Sequence, residues 1–235
     1  MANVGLTEYL MEFGLTRQEA TIYLNLMERG MQTGYEVSKQ TGISRSNVYR
    51  ALAGLVEKGA AYTSEENATK YMGIDVEEFC SNKIRRMEQY KEILAVNMPK
   101  EHEETEGYLT VSGDEQIQHK IKNMLLSANK RVYLSMSAKN LKKFIPEISQ
   151  LIEQKVKVVV LSNKVPDLLG IKFYLTENKE QQVGVITDSR NVLTGELGNG
   201  EYSTCLYSGQ SNLVRVFKDS LKNEIKLIEL TGGVK

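Results

Sequence analysis

Within GISRSNVYRALAGLVEKG, residues 42–59, Arg45, Asn47 and Arg50 place three base-reading side chains within less than two helical turns. Arginine offers guanine or phosphate a two-pronged donor, and asparagine matches the adenine edge. Ser44, Ser46 and Tyr49 add hydroxyls of the kind that bind phosphate oxygens. Val48, Leu52, Leu55 and Val56 recur at helical spacing, so the stretch predicts a helix with an apolar back and a polar, cationic front. Ser44 stands at the N-cap position, and Gly59 stands where the helix must stop after Lys58. Ala53 and Gly54 on the front would let a DNA or protein backbone approach closely, at a cost of about 1 kcal/mol for the glycine. An ordinary solvated helix face would explain the same polar residues. The neighbouring elements separate the two readings.

Upstream, Thr16-x-x-Glu19 is a capping box before ATIYLNLMERG, and Thr33-x-x-Glu36 is a second one before YEVSKQT, which stops at Gly42. Two short helices joined across a glycine-containing turn form a helix-turn-helix pattern. Downstream, AAYTSEENATKYMGI reads as a hairpin, the wing of a winged helix. Lys70 is the only cation of that wing, and Glu65 and Glu66 at its tip repel phosphate. The helix, not the wing tip, is therefore expected to dominate contact with double-stranded DNA. Asp75-x-x-Glu78 is a third box and opens a long polar helix to about Met98. Ile84, Met87, Leu94 and Met98 extend a seam from Phe79, interrupted by Lys91. Pairing with a second copy and packing on its own domain both fit this seam.

PKEHEETEG, residues 99–107, is a charged linker. Beyond it, strands and helices alternate, which predicts an α/β domain. The expected division is therefore a winged helix at 1–75, a dimerisation helix at 76–98, the linker, and an α/β effector or sensor domain at 108–235. Several strands of that domain end in small polar residues: Ser112, Ser137, Ser162 with Asn163, and Ser208 with Gln210. If the first three strands run parallel, their tips share one edge, where α/β sheets bind ligands. With Lys139 and Lys164 nearby, a polar or anionic small-molecule effector is the expected occupant. Turn formation and helix capping would explain the same residues.

The chain has 235 residues and no formal net charge. By count, residues 1–75 carry −2, residues 76–106 carry −3 and residues 107–235 carry +5. DNA contact by the first part must thus rest on local placement. Cys80 and Cys205, far apart and without a C-x-x-C pair, argue against a disulfide framework or a metal site and fit a reducing cytosol. No signal peptide or membrane-length apolar run is seen, so a cytoplasmic protein without membrane association is expected. No cofactor is expected.

GLTRQEATIYLNL and GISRSNVYRALAGLVEKG together resemble the N-terminal domain of the TrmB-like transcriptional regulators, and VITDSRNVLTGEL fits the later part of that family's chain. The resemblance implies a winged helix joined through a coiled-coil helix to a phospholipase-D-like effector domain. It also implies a cytosolic, dimeric, DNA-binding regulator, often responsive to sugars. Phospholipase D chemistry uses H-x-K-x-x-x-x-D, with a histidine nucleophile and a phosphate-stabilising lysine. Aligning its aspartate with Asp188 puts Gln181 and Val183 at those positions, so no catalytic residue and no phosphodiesterase activity are expected. Three functions stay open in order: a ligand-responsive regulator, a DNA-binding protein whose second domain serves only assembly or partner contact, and a phosphodiesterase.

Overall fold

The computed structural model describes residues 3–65, 68–99, 107–177 and 179–231. The chain divides into two compact units, Met1–Lys100 and Glu101–Lys235. Glu66 at the wing tip and most of the linker lie outside the described residues.

In the first unit, α1 (Asn3–Glu12), α2 (Arg17–Arg29), β1 (Gln32–Thr33), α3 (Gly34–Thr41) and α4 (Arg45–Glu57) precede a hairpin of β2 (Ala61–Ser64) and β3 (Lys70–Gly73), then α5 (Val76–Asn97). Thr16 and Thr33 both form reciprocal capping boxes with Glu19 and Glu36. The third site caps differently: Asp75 accepts from the backbone N–H groups of Glu77 and Glu78 (2.9 and 3.3 Å), while the Glu78 carboxylate accepts from the Tyr62 hydroxyl. Ser44 occupies the N-cap position of α4 but makes no cap bond; its hydroxyl lies 3.4 Å from that of Ser46. At the other end of α4, Gly59 (φ 71°) takes the left-handed conformation. The Ala60 N–H donates to Leu55 (2.8 Å) and the Gly59 N–H to Val56 (3.0 Å), closing the helix as a Schellman motif.

The three strands pair antiparallel in the order β1-β3-β2, completing a winged helix. Its core joins Ile22, Tyr23 and Leu26 of α2 to Val37 of α3 and to Val48, Leu52 and Leu55 of α4. Each such side chain contributes about 1.5–3 kcal/mol on burial. Val56, expected in that stripe, is exposed, and Ala51 takes the inward place because it lies closer to the Val48–Leu55 meridian. Phe79 is buried against Tyr23 and Phe13 and anchors the first turns of α5.

The second unit contains β4 (Tyr108–Ser112), α6 (Asp114–Leu126), β5 (Arg131–Met136), α7 (Ala138–Leu141), a 3-10 turn, α8 (Ile145–Glu153), β6 (Lys157–Ser162), β7 (Lys172–Leu175), β8 (Gln182–Thr187), β9 (Asn191–Glu196), β10 (Thr204–Ser208) and α9 (Ser211–Leu230). One seven-stranded sheet runs in the order β4-β10-β9-β8-β5-β6-β7. Only β5, β6 and β7 pair parallel; the other neighbours are antiparallel. The helices α6 and α8 bury Val132, Leu134, Val158 and Val160 on one face. On the other face Ile186 and Val192 pack with Val214 of α9. The α/β class was legible in the sequence. β7 was not, because its four residues follow a loop-like run, NKVPDLLGI, that hides them.

Candidate nucleic-acid interface

Gly42 (φ 73°) turns the chain between α3 and α4, and the Ser38 hydroxyl donates to the Ile43 carbonyl (2.7 Å) across that turn. Val48, Ala51, Leu52 and Leu55 bury the back of α4. Arg45, Ser46, Tyr49, Arg50 and Ala53 stand exposed on its front, with Asn47 half-buried at the margin. The Arg45 guanidinium carbon lies 4.6 Å from the centre of the Tyr35 ring. Such a stack is worth about 0.5–1 kcal/mol at an exposed site. It also fixes the plane of a long side chain before any ligand arrives. Tyr49 lies against Gly34, where an added Cβ would come within 2.6 Å of the ring. Arg50 has no ion-pair partner among the described residues.

Lys70 is exposed on β3, paired in register with Thr33. The backbone and hydroxyl of Thr33 lower the Glu36 pKa, and Lys70 lowers it further. Ser44, Arg45, Ser46, Tyr49 and Arg50 thus share one front, with Lys70 on the adjoining sheet. Gly34 and Tyr35 were missed in the sequence. The only signal for them was a glycine opening a short helix and, next to it, an aromatic outside the apolar stripe.

Gly54 corrects an expectation. A Cβ there would overlap the Glu19 carboxylate rather than face outward. Glu19 is buried, accepts from the Thr16 N–H (2.6 Å) and pairs with Lys58 at 2.6 Å, which also donates to the Gly14 carbonyl (2.9 Å). Burial raises its pKa, but Lys58 and Thr16 outweigh that and hold it below the usual range. Gly54→Ala therefore gains about 1 kcal/mol of helix propensity and loses more by displacing a buried, paired carboxylate. The expected net loss is about 1–2 kcal/mol in denaturant unfolding, with DNA affinity unchanged below the melting range. A stabilised variant would sink this account.

The four strand ends proposed for the ligand edge do not all meet. β4, β5 and β6 run in the same direction, which puts Ser112, Ser137, Ser162 and Asn163 on one edge. β10 runs against β4, with Ser208 opposite Tyr108, so Ser208 and Gln210 lie at the opposite edge. There the Ser208 hydroxyl donates to Gly107 (3.1 Å) and accepts from the Gln210 N–H (3.0 Å). Ser112 is exposed but four strand spacings from β5, about 19 Å. Ser137 caps Asn140 (3.4 Å), and Asn163 accepts from the Ala138 N–H (2.8 Å).

Ser162 is fully buried and its hydroxyl has no partner among the described residues, so no ligand reaches it from solvent. An unsatisfied buried hydroxyl costs roughly 1–3 kcal/mol. Ser162→Ala is accordingly expected to be neutral or to raise the melting temperature. A clear loss of stability would reveal a hydrogen bond at that hydroxyl.

At the phospholipase D positions, Gln181 is exposed and Val183 is buried in the core. Asp188 (φ 52°) is a turn residue between β8 and β9. Its carboxylate accepts from the N–H groups of Asn129, Lys130 and Arg131 at 2.9, 2.8 and 2.9 Å. Burial raises its pKa, and those three bonds together with the Lys130 charge outweigh burial and lower it. Burial pushes the Cys205 thiol up to about 11 and raises Cys80 as well. Neither is an activated thiolate. Among the described residues no His/Cys/Asp/Glu group is arranged to hold a metal ion. No described helix is long and apolar enough to cross a membrane.

A helix-turn-helix with a cationic front, a wing, a long following helix and a mixed α/β sheet define a winged-helix protein carrying a second, α/β domain. The profile described as sugar-specific transcriptional regulator TrmB matches residues 10–77. The profile of the TrmB effector-binding domain, N-terminal subdomain, matches residues 108–224. The chain belongs to the TrmB family of transcriptional regulators. It is 26% identical to the uncharacterized protein YrhO of Bacillus subtilis (strain 168), over 95% of this chain and 85% of that protein. The structure of TrmBL2, an archaeal chromatin protein, is similar with a TM-score of 0.47 and 20% identity, over 96% of this chain and 99% of that one. Nuc from Salmonella typhimurium, a phospholipase D family member, is similar over 50% of this chain and 92% of its own, with a TM-score of 0.38 and 10% identity.

Proposed function

We propose that this regulator binds double-stranded DNA as a homodimer through Ser44, Arg45, Ser46, Asn47, Tyr49 and Arg50 of α4, assisted by Lys70, and that a small polar ligand governs the binding. The observation that carries the DNA contact is the pair of front-facing arginines, one stacked on Tyr35 and one without an ion-pair partner among the described residues. Arg50 makes no contact that the fold needs and Arg45 only its exposed stack on Tyr35, and both stand on the side of α4 that a recognition helix turns to base edges. Sequence-selective capture of fragments from the source genome, repeated over a salt series, tests it. Failure to enrich any sequence, with or without added metabolites, would overturn the reading.

Pairing is supported by α5. Among the described residues, Phe79 and Cys80 are the α5 members of its own unit's core, and Ile84, Met87, Leu94 and Met98 are each more than half exposed. A helix packed on its own domain would have hidden them. Their roughly heptad spacing fits a second copy, with Lys91 as the one polar position in the seam. A sedimentation experiment that finds a monomer at micromolar concentration would exclude this.

For the effector, the family's sugar-specific description favours a sugar or sugar phosphate, and the edge carrying Ser137 and Asn163 is where it would bind. A thermal-shift screen of such compounds checks this, with stabilisation of several degrees expected at saturating ligand. If no compound in the panel stabilises the protein, the second domain serves assembly or partner contact instead. Control through the α5 helix requires the ligand to favour one of two arrangements of the DNA-binding surfaces.

A further inference from the structure

Among the described residues, the sheet edge opposite the proposed ligand edge carries an excess of cations. Lys130 and Arg131 open β5, Lys155 and Lys157 open β6, and Arg190 lies in the turn from β8 to β9. β8, β5 and β6 are neighbours in the sheet. Arg131 stands directly opposite Lys157 in the parallel register, and the Lys157 N–H donates to the Lys130 carbonyl (3.2 Å). Lys130, Lys155, Lys157 and Arg190 are exposed, and Arg131 is half-buried. None of the five has an ion-pair partner among the described residues.

Asp188 is the carboxylate within this row; its oxygens accept from three backbone N–H groups, and it offsets one of the five charges, chiefly that of Lys130. Glu153, at the end of α8, is the other acid close in sequence. The other edge mixes signs: Lys139, Lys142 and Lys143 are set among Asp114, Glu196 and Glu201; burial raises the Asp114 pKa, and its hydrogen bonds together with the Lys143 charge outweigh that and lower it.

Such a row does not help the fold. Like charges directly across a strand pair are destabilising, and unpaired cations on one edge repel one another. A polyanion would offset that repulsion. The two strand starts and the neighbouring end of β8 span about 10 Å, room for two or three consecutive phosphates of one DNA strand.

We propose that this cationic edge is a second, sequence-independent contact to the phosphate backbone of duplex DNA. The choice of DNA over other polyanions rests on the DNA-binding reading above; the unbalanced edge does not. It would also give general affinity for nucleic acid to a chain whose first 75 residues carry −2, since residues 107–235 carry +5. Each phosphate contact adds to affinity by releasing counterions, with a slope of about 0.9 per contact in log affinity against log salt.

The test uses the full chain with Lys130→Gln/Lys157→Gln/Arg190→Gln. Neutralisation is chosen over reversal so that Asp188 gains no new negative neighbour. Binding to a labelled duplex of arbitrary sequence is measured over a salt series, beside wild type and Arg45→Ala/Arg50→Ala. The expected result is a loss of about tenfold or more at 100 mM salt and a slope shallower by two to three, with the melting temperature nearly unchanged. An unchanged slope in a folded triple variant overturns the proposal. If the triple variant loses binding while Arg45→Ala/Arg50→Ala loses neither affinity nor sequence preference, the cationic edge stands and the recognition-helix reading falls. Anionic lipid vesicles form the third arm: binding to vesicles but not to duplex, lost in the triple variant, would assign the edge to a membrane surface and overturn the proposal.

Discussion

Alanine at Arg45 and Arg50 together is expected to lower affinity for the selected operator by roughly 30-fold to 10,000-fold, from about 1–3 kcal/mol per two-pronged contact. The size follows from where the two side chains stand. Arg45 is held against Tyr35 at 4.6 Å, so little freedom is lost when it meets a base. Arg50 has no ion pair to break among the described residues. Truncation exposes no cavity, because both lie on the front of α4, away from Val48, Leu52 and Leu55. The only stability loss expected is that of the Tyr35 stack, about 0.5–1 kcal/mol, so the melting temperature of the first unit should fall by no more than about 2–8 °C. Lysine at position 45 should recover part of the affinity but less of the base preference, because an ammonium is not a planar fork. Competition titrations against scrambled duplex separate the two. Equal binding of operator by wild type and the double variant would remove α4 from recognition.

Asp188→Ala is expected to cost about 3–4 kcal/mol and to lower the melting temperature of the second unit by about 10 °C. One carboxylate receives the backbone N–H groups of three successive residues at the start of β5. Its removal leaves those donors to water and puts alanine at φ 52°, a conformation that aspartate tolerates better. The pH dependence has a definite sign. The folded pKa is lowered, below an unfolded value of about 3.9. The stabilisation is therefore fully present above pH 4 to 5 and disappears as pH falls through the folded pKa. The gap between wild type and variant should be constant from pH 5 to 8 and shrink in stronger acid. Hydrolysis of a chromogenic phosphodiester, abolished in a variant whose melting was unchanged, would instead make this aspartate catalytic.

The difference between Gly54 and Asp188 shows how far the sequence could be read. Asp188 was expected to lack a catalytic role because Gln181 and Val183 cannot perform the chemistry of an H-x-K pair, a matter of side-chain type alone. Gly54 was misread because its neighbour, Glu19, is far away in sequence, and no helical wheel of α4 includes it. The Tyr35–Arg45 stack was missed for the same reason, since it joins two helices across a turn. At the proposed ligand edge the sequence predicted small polar strand ends but not strand direction. Ser208 fell on the wrong edge once β10 was found antiparallel to β4.

What the sequence determined by itself was local: the capping boxes at Thr16 and Thr33, the glycine stops at Gly42 and Gly59, the apolar back of α4 and the order of strands and helices after the linker. These depend on hydrogen bonds and periodicities within a few residues, which composition and spacing record directly. Only the tertiary structure decided that Glu19 fills the space Gly54 leaves, that Tyr35 orients Arg45, that Ser162 is sealed in the core, and that five cations gather on one sheet edge. Each is a contact or alignment between distant segments, fixed by sheet order and helix packing.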